Sequence, residues 1–324
     1  MKIGKSLRHV SVVGLLVGGL VVAGTVSATG SRSTAQAAGS APPVTFDGPV
    51  HIGNGRTIFL VCEGTGSPTV ILESGYHDNG VLWPADEPTP PAVGPAVMPG
   101  LARTNRVCSY DRPGTLDYDK NPPTITTRSS PVPMPRPASS VVSDLHATLA
   151  AAHVPGPYVL VAHSMGGVFS LLYARTYPRQ VAGLVLVDAF SPNIPRLFGA
   201  DWPAYRRLLA HPGTTEDNKP GFEVINIDRS VAELAAAPPL RKGLPLVVLS
   251  KTEPFPIPET VKDVSATKLD RIWNKTQNQL VTLEPNTPHL IATGSDHYVQ
   301  VRQPDLVIAA ARLVIGRAEA SPAH

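Results

Sequence analysis

Charged residues are scarce in this chain of 324 residues: Asp, Glu, Lys and Arg make up 16%, against 42% hydrophobic residues. Such a composition supplies enough apolar surface to order a large core, which excludes an intrinsically disordered protein. Fibrous and coiled-coil classes are also excluded, because 35 prolines oppose long uninterrupted helices. No repeat of solenoid or propeller length is present. The length fits one large α/β domain or a domain with a cap.

Signatures of cofactor binding are missing as well. The His and Cys residues are scattered without the spacing of a metal site. The glycine-containing turn at 64–68 lacks the helix that a phosphate-binding or dinucleotide-binding loop requires. We therefore expect a protein that uses neither a metal ion nor an organic cofactor.

The net charge of +3 arises from the N-terminal segment alone. Four basic and no acidic residues precede Ala38, so the rest of the chain has 24 basic and 25 acidic residues, a net charge of −1. Without a basic patch, the sequence predicts no nucleic-acid partner.

This N-terminal segment has the three zones of an export signal. Three basic residues lie within the first eight positions, 10–26 is an apolar run, and small residues at 35–37 fit a cleavage site. We expect a signal peptide over 1–37 and a secreted mature protein. Cleavage after Ala28 and an uncleaved membrane anchor are the alternatives.

The chain contains only two cysteines, Cys62 and Cys108. Each lies in an apolar, strand-like run, and two cysteines in an exported chain most simply form one disulfide. We expect the bond to join neighbouring strands, with two buried thiols as the alternative. Neither has an activating base nearby in the sequence, so neither is a candidate nucleophile.

Short apolar runs bounded by turn residues recur, and helical patterns separate the later ones. This alternation predicts an α/β fold with a mostly parallel central sheet and helices on both faces. Residues 38–49 are small, polar and proline-bearing, as in a linker, so we expect folding to start near Pro49. The core is expected at 50–189 and 244–318, with a helical cap insertion at 190–243. Strands are predicted at 57–62, 69–73, 106–110, 158–162, 183–187, 244–250 and 289–292, and helices at 139–152, 166–177, 267–283 and 304–315.

The segment from Val159 to Gly167 predicts a strand, a sharp turn with Ser164 at its apex, and a helix. Small residues at Ala162 and Gly166 allow the strained backbone of such a turn. The serine hydroxyl is then exposed beside a helix N-terminus, where negative charge is stabilised. Ser164 is therefore the candidate nucleophile.

A serine nucleophile requires a base, and His297 is placed to supply it. It follows the last predicted strand and a glycine turn, at the sheet edge that also carries Ser164. The alternative is that His297 is a surface histidine without a catalytic role. His163, next to Ser164, is expected to point away from the turn and to have a structural role.

These motifs resemble the α/β-hydrolase family, and in particular its secreted actinobacterial-type serine hydrolases. The resemblance extends from about Thr57 to Ile315. Ala162 departs from the family pattern, which has glycine there, but alanine is small enough to keep the turn. The motifs that carry the resemblance are the serine turn, Ser74-Gly75-Tyr76, Tyr110-Asp111-Arg112-Pro113-Gly114 and Gly294-Ser295-Asp296-His297.

The resemblance implies an oxyanion hole formed by the backbone N–H groups of Met165 and Tyr76. It also implies an acid that orients the histidine, and different branches of the family place that acid differently. Asp188 ends a buried strand and is held rigidly, whereas Glu253 lies in a proline-rich loop. We therefore favour Asp188, with Glu253 and then Asp263 as alternatives. Asp111 and Arg112 are expected to be structural and to pair locally.

The resulting hypothesis is an exported, cofactor-independent serine hydrolase that cleaves a carboxylic ester through an acyl-enzyme. Apolar and aromatic residues of the predicted cap favour an apolar small-molecule substrate. The alternatives are a peptidase or amidase, an acyltransferase, and a non-catalytic binding protein. A peptidase would need acidic groups for a free amino terminus, for which Glu216, Asp217 and Glu223 are candidates. The sequence contains no feature that indicates the oligomeric state.

Overall fold

The fold is described from a computed structural model, which covers residues 43–85, 94–257 and 261–320. Ten strands form an eight-stranded sheet, in the order β1-β2-β4-β3-β7-β8-β9-β10, and a small β5-β6 hairpin. The strands are β1 Val44–His51, β2 Thr57–Glu63, β3 Thr69–Glu73, β4 Val107–Asp111, β5 Leu116–Asp117, β6 Thr124–Ile125, β7 Tyr158–His163, β8 Val181–Val187, β9 Leu246–Lys251 and β10 His289–Ala292.

From β4 to β10 all neighbouring strands of the large sheet run parallel, while β1 and β2 are joined antiparallel to that block. The central strands β3, β4, β7 and β9 are buried at every residue, and most of their residues are apolar, as expected of strands covered on both faces. The helices are α1 Val97–Leu101, α2 Ala138–Ala151, α3 Gly166–Thr176, α4 Ile194–Phe198, α5 Trp202–Ala210, α6 Ile227–Ala236, α7 Ala266–Val281, α8 Val299–Arg302 and α9 Pro304–Ala320.

Helices cover the sheet on both faces, in two separate hydrophobic clusters. One face packs against α2, α3 and α7, and the opposite face packs against α1 and α9. The predicted α/β class, with a mostly parallel sheet between two helical layers, is confirmed. None of the described helices combines the length and the hydropathy that a membrane crossing requires.

The predicted linker at 38–49 is wrong in its second half, because β1 begins at Val44 and pairs antiparallel with β2. Folding therefore starts before Pro49. The first four residues of β1 are exposed, so this edge strand shows no alternation of buried and exposed residues. Residues 1–42 lie outside the described part of the chain, and with them the predicted signal peptide and the start of the linker.

Cys62 and Cys108 are directly opposite each other on β2 and β4, and they form the predicted disulfide. Both residues are buried. The bond links the antiparallel β1-β2 pair covalently to the parallel block of the sheet.

Candidate active site

Ser164 follows the last residue of β7 and has a φ of 51°, the left-handed region that non-glycine residues rarely adopt. Two backbone bonds hold it there: its N–H donates to Val187 O at 3.1 Å, and Phe190 N–H donates to Ser164 O at 2.8 Å. A Cβ on Gly166 would lie 2.6 Å from Glu73 O, so glycine is required where α3 begins. The sharp strand-to-helix turn is present as predicted, with Ala162 fully buried beneath it.

The structure brings together Ser164, His297 and Asp188 from three separate strand ends. His297 Nε2 lies 2.9 Å from Ser164 Oγ, and His297 Nδ1 lies 2.6 Å from Asp188 Oδ2. These are hydrogen-bond distances at both ring nitrogens. An imidazole held in this way can accept a proton from the hydroxyl through Nε2 while Nδ1–H donates to the carboxylate.

Asp188 is fully buried, with a φ of 40°, directly after β8. Its second oxygen, Oδ1, accepts bonds from Trp273 Nε1 at 2.9 Å and from Lys251 N–H at 3.3 Å. Trp273 also packs edge-on against the His297 ring, with 5.3 Å between ring centroids. The carboxylate therefore has one oxygen fixed by the core and one directed at the histidine.

The two alternative acids lie elsewhere. Glu253 is exposed, and its carboxylate accepts a bond from the neighbouring Thr252 hydroxyl at 3.2 Å. Asp263 is also exposed and pairs with Arg207. The described contacts of His297 thus place Asp188 at its Nδ1.

Burial lowers the pKa of His297 below its ordinary range, although the bond to Asp188 acts in the opposite direction. The neighbouring His163 and Lys251 lower it further. The imidazole is therefore neutral near neutral pH, which is the form that can accept a proton.

His163 also helps to position His297, since His163 Nε2 lies 2.9 Å from the backbone oxygen of His297.

The two predicted oxyanion donors flank Ser164. Met165 follows Ser164 in the chain. Tyr76 lies in the turn 74–78, which packs directly against Ser164: a Cβ on Gly75 would lie 3.1 Å from Ser164 Cβ. Neither backbone N–H has a hydrogen-bond partner among the described residues. Free N–H groups beside a nucleophile can stabilise a developing negative oxygen.

A cavity of about 270 Å³ opens onto Ser164 and His297. Its walls are mainly aromatic and aliphatic, and they come both from the segment between β8 and β9 and from the region around α7. No group of His, Cys, Asp and Glu suited to a metal ion occurs in the described ranges. The apolar lining residues include Phe190, Tyr205, Leu208, Leu209, Phe255, Ile257, Leu269 and Trp273.

The expectation that Asp111 and Arg112 pair locally is wrong. Asp111 pairs with Arg128 at 2.7 Å. Arg112 pairs with Glu73 at 2.9 Å and with Glu223 at 2.8 Å. Burial removes all these carboxylates from water, so each is positioned beside a cation from a distant segment.

The acidic residues considered for a peptidase are already engaged within the protein. Glu216 is paired with Lys219 at 2.6 Å, and Asp217 accepts a bond from Thr214 N–H at 3.0 Å. Glu223 is fully buried on Arg112. None of the three lines the cavity beside Ser164.

Sequence reasoning missed Trp273 and Lys251, which fix the far oxygen of Asp188. The buried positions of α7, which include Leu269, Ile272 and Trp273, follow a helical period. That period predicts a core role for the tryptophan. It contains no signal for the hydrogen bond to a strand-end aspartate.

The chain is similar in sequence to known proteins of two organisms. A segment of 95 residues is 40% identical to an uncharacterized protein of Schizosaccharomyces pombe, and it spans 29% of this chain and 16% of that protein. Over 247 residues the chain is 23% identical to an uncharacterized protein of Bacillus subtilis, covering 76% of this chain and 82% of the other.

Among solved structures, the fold is similar to that of a thermophilic esterase from Thermogutta terrifontis. The TM-score is 0.50 at 18% identity, over 85% of this chain and 99% of the esterase. A family model described as alpha/beta hydrolase fold matches residues 68–310, which include Ser164, Asp188 and His297. The chain belongs to the α/β-hydrolase family.

Proposed function

We propose that this protein is a serine hydrolase that cleaves a carboxylic ester through an acyl-enzyme. The observation that carries the proposal is the continuous hydrogen-bonded chain from Asp188 through His297 to Ser164. Nucleophile, base and orienting acid are the three groups that activation of a serine hydroxyl requires.

In the first half of the reaction, Ser164 Oγ attacks the ester carbonyl carbon while His297 Nε2 accepts the hydroxyl proton. The electron pair of the carbonyl π bond moves to the oxygen, which the N–H groups of Met165 and Tyr76 stabilise. When the tetrahedral intermediate collapses, the ester C–O bond breaks and His297 returns the proton to the leaving alkoxide. An alcohol departs and the acyl group stays on Ser164.

Water completes the cycle in the second half. His297 takes a proton from the water as its oxygen attacks the acyl carbon, and the same N–H groups stabilise the second oxyanion. Collapse breaks the bond to Ser164 Oγ, which recovers its proton from His297. The products are a carboxylic acid and the free enzyme, so no cofactor takes part.

The cavity supports a small, apolar substrate. Its volume of about 270 Å³ is near the lower end of ligand pockets, which run from about 300 to 1,000 Å³. Aromatic and aliphatic walls favour a short hydrocarbon group over a charged one. The segment 190–243 supplies Tyr205, Leu208 and Leu209 to those walls, so we assign it the role of the substrate-shaping cap.

We also propose that the mature protein is exported. The disulfide between Cys62 and Cys108 is consistent with an oxidising compartment. The leader-like sequence over 1–37 supplies the route.

The proposal is tested by intact-mass analysis after treatment with a fluorophosphonate. We expect a single adduct on the wild-type protein and none on Ser164→Ala. Ser170→Ala is the matched control, because Ser170 is a buried serine of α3, the helix that follows Ser164, and its hydroxyl has no partner among the described residues. An adduct that persists in Ser164→Ala would refute the proposal.

The substrate class is tested with p-nitrophenyl esters of increasing acyl length beside aminoacyl amides. We expect kcat/KM to be highest for short acyl chains and to fall once the chain exceeds the cavity. Faster cleavage of aminoacyl amides than of esters would make the peptidase alternative the better description.

A further inference from the structure

A buried ion cluster outside the proposed triad lies directly beneath the turn 74–78. Arg112 Nη1 donates to Glu73 Oε1 at 2.9 Å, and Arg112 Nε donates to Glu223 Oε1 at 2.8 Å. All three side chains are 1% exposed or less. Burying two carboxylates and a guanidinium is costly, and their ion pairing alone is weak evidence for a role in stability.

The same guanidinium binds the backbone of the turn. Arg112 Nη1 donates to Ser74 O at 2.9 Å, and Arg112 Nη2 donates to Gly75 O at 2.5 Å. Gly75 O belongs to the peptide unit whose N–H is that of Tyr76. Because a trans peptide is planar, with its C=O and N–H pointing in opposite directions, fixing Gly75 O fixes the direction of Tyr76 N–H.

Glu223 holds the next peptide unit. Its Oε2 accepts a bond from His77 N–H at 2.8 Å, and His77 N–H belongs to the unit that follows Tyr76. Glu223 N–H in turn donates to Gly114 O at 2.9 Å. The two peptide units on either side of the Tyr76 α-carbon are therefore each held by one member of the buried pair.

A second contact joins the same two segments, because Ile225 N–H donates to Tyr76 Oη at 2.8 Å. The stretch from Glu223 to Ile225 thus binds both the backbone and the side chain of the turn. A charge-assisted bond to Gly75 O also polarises the amide, which makes its N–H a stronger donor.

We propose that Arg112 and Glu223 are positioning residues that aim the Tyr76 N–H at the oxyanion. The assignment rests on the proposed hydrolase function. Because Glu223 belongs to the segment between β8 and β9, that segment would both line the cavity and contribute to transition-state stabilisation. Neither residue touches the substrate, so both act through the turn.

The test compares Arg112→Lys and Glu223→Gln with the wild type. A lysine cannot reach Glu73, Glu223 and two carbonyl oxygens at once, and the glutamine keeps the shape of Glu223 but lacks its charge. The matched control is Arg128→Met, which removes a cation from the buried Asp111. The hydrogen bonds and the ring contact of Arg128 involve Asp111, Thr126 and Phe59, which lie outside the turn 74–78. Thermal unfolding followed by circular dichroism establishes that each variant is folded.

Three quantities are measured: kcat, KM for a p-nitrophenyl ester, and the inhibition constant of a trifluoromethyl ketone, whose adduct with serine mimics the tetrahedral intermediate. We expect kcat to fall about 10- to 100-fold in both variants, because deleting an oxyanion donor outright costs about 10²- to 10³-fold. KM should stay within about twofold, and affinity for the ketone should fall in parallel with kcat. Arg128→Met should retain its kcat even where its unfolding temperature is lowered.

Folded variants with unchanged kcat would overturn the positioning role while leaving the hydrolase function intact. A fall in kcat without a loss of ketone affinity would overturn it as well, because the effect would then lie outside the oxyanion. If Arg112→Lys does not fold, Glu223→Gln decides the matter by the same criteria. A wild-type protein that neither turns over esters nor reacts with a fluorophosphonate would overturn the proposed function, and this assignment with it.

Discussion

Replacing Asp188 with asparagine tests the orientation of the proposed base with almost no change in shape. Asp188 Oδ2 faces His297 Nδ1, whereas Oδ1 receives two N–H groups, from Trp273 and from the Lys251 backbone. Those two donors decide how an asparagine would lie, because only its oxygen can accept from them. The amide NH₂ would then face the histidine.

An NH₂ group at this position forces Nδ1 to act as acceptor and moves the ring proton to Nε2. Nε2 then points a proton at Ser164 Oγ and cannot remove one. Asp188 itself is fully buried, so water cannot take the place of its contact with the histidine. We expect kcat to fall by about 10⁴-fold, the loss known for the wrong tautomer in serine proteases. That corresponds to about 5 kcal/mol of transition-state stabilisation.

The assay is steady-state hydrolysis of a p-nitrophenyl ester at neutral pH, with Glu253→Gln as the matched control. Glu253 is exposed, so its substitution should leave kcat and KM within about twofold, as for most surface changes. KM should also be little changed in Asp188→Asn, since the substitution acts on proton transfer. An Asp188→Asn variant within tenfold of wild type, or an equal loss in Glu253→Gln, would refute the reasoning.

Three further predictions concern pH and the disulfide. Burial lowers the pKa of His297, so kcat/KM should decline with falling pH only below the ordinary histidine value of about 6.5; a midpoint above that value would contradict this. Burial raises the pKa of Glu73 from 4.5 to about 7, so the folded state retains a proton that the unfolded state has lost. The free energy of unfolding of the wild type, relative to that of Glu73→Gln, should therefore decrease as pH rises through that window, and urea titrations of the two proteins measure the difference; parallel pH profiles would exclude the effect. The Cys62–Cys108 bond closes a separation of 46 residues, so the double alanine variant should lose up to about 4 kcal/mol, and a reductant should lower the urea midpoint of the wild type only.

Much of the sheet and part of the site were accessible from sequence because their signals are local. A buried parallel strand is apolar along most of its length, as β7 and β9 are. Ser164 is marked by the small residues around it, and one of them, Gly166, has no room for a side chain beside the Glu73 backbone. The rigidity of a strand end likewise favoured Asp188 over Glu253, and the hydrogen bond to His297 agrees with that preference.

The remainder depends on contacts between segments far apart in the chain. Arg112 and Glu223 are 111 residues apart, and Asp188 and Trp273 are 85 residues apart. Periodicity assigns each side chain to a face or a core, but it does not identify the group opposite. For the same reason the charges of Glu216 and Asp217 suggested a binding site, whereas both are occupied by neighbouring groups.

The proposed nucleophile and acid are set relative to each other by the sheet itself. Each has a positive φ directly after its strand, a conformation that costs on the order of 1 to 3 kcal/mol and persists where the surroundings enforce it. Here two backbone hydrogen bonds hold the conformation: Ser164 N–H donates to Val187 O, and Asp188 N–H donates to Leu249 O. Each residue thus bonds to the last part of the next parallel strand, so the pairing continues past the strand ends. Because these bonds are between backbone groups, the arrangement is in place before substrate binds and does not depend on the side chains it presents. Ser164→Ala and Asp188→Asn should therefore report on chemistry with the geometry of the turns preserved.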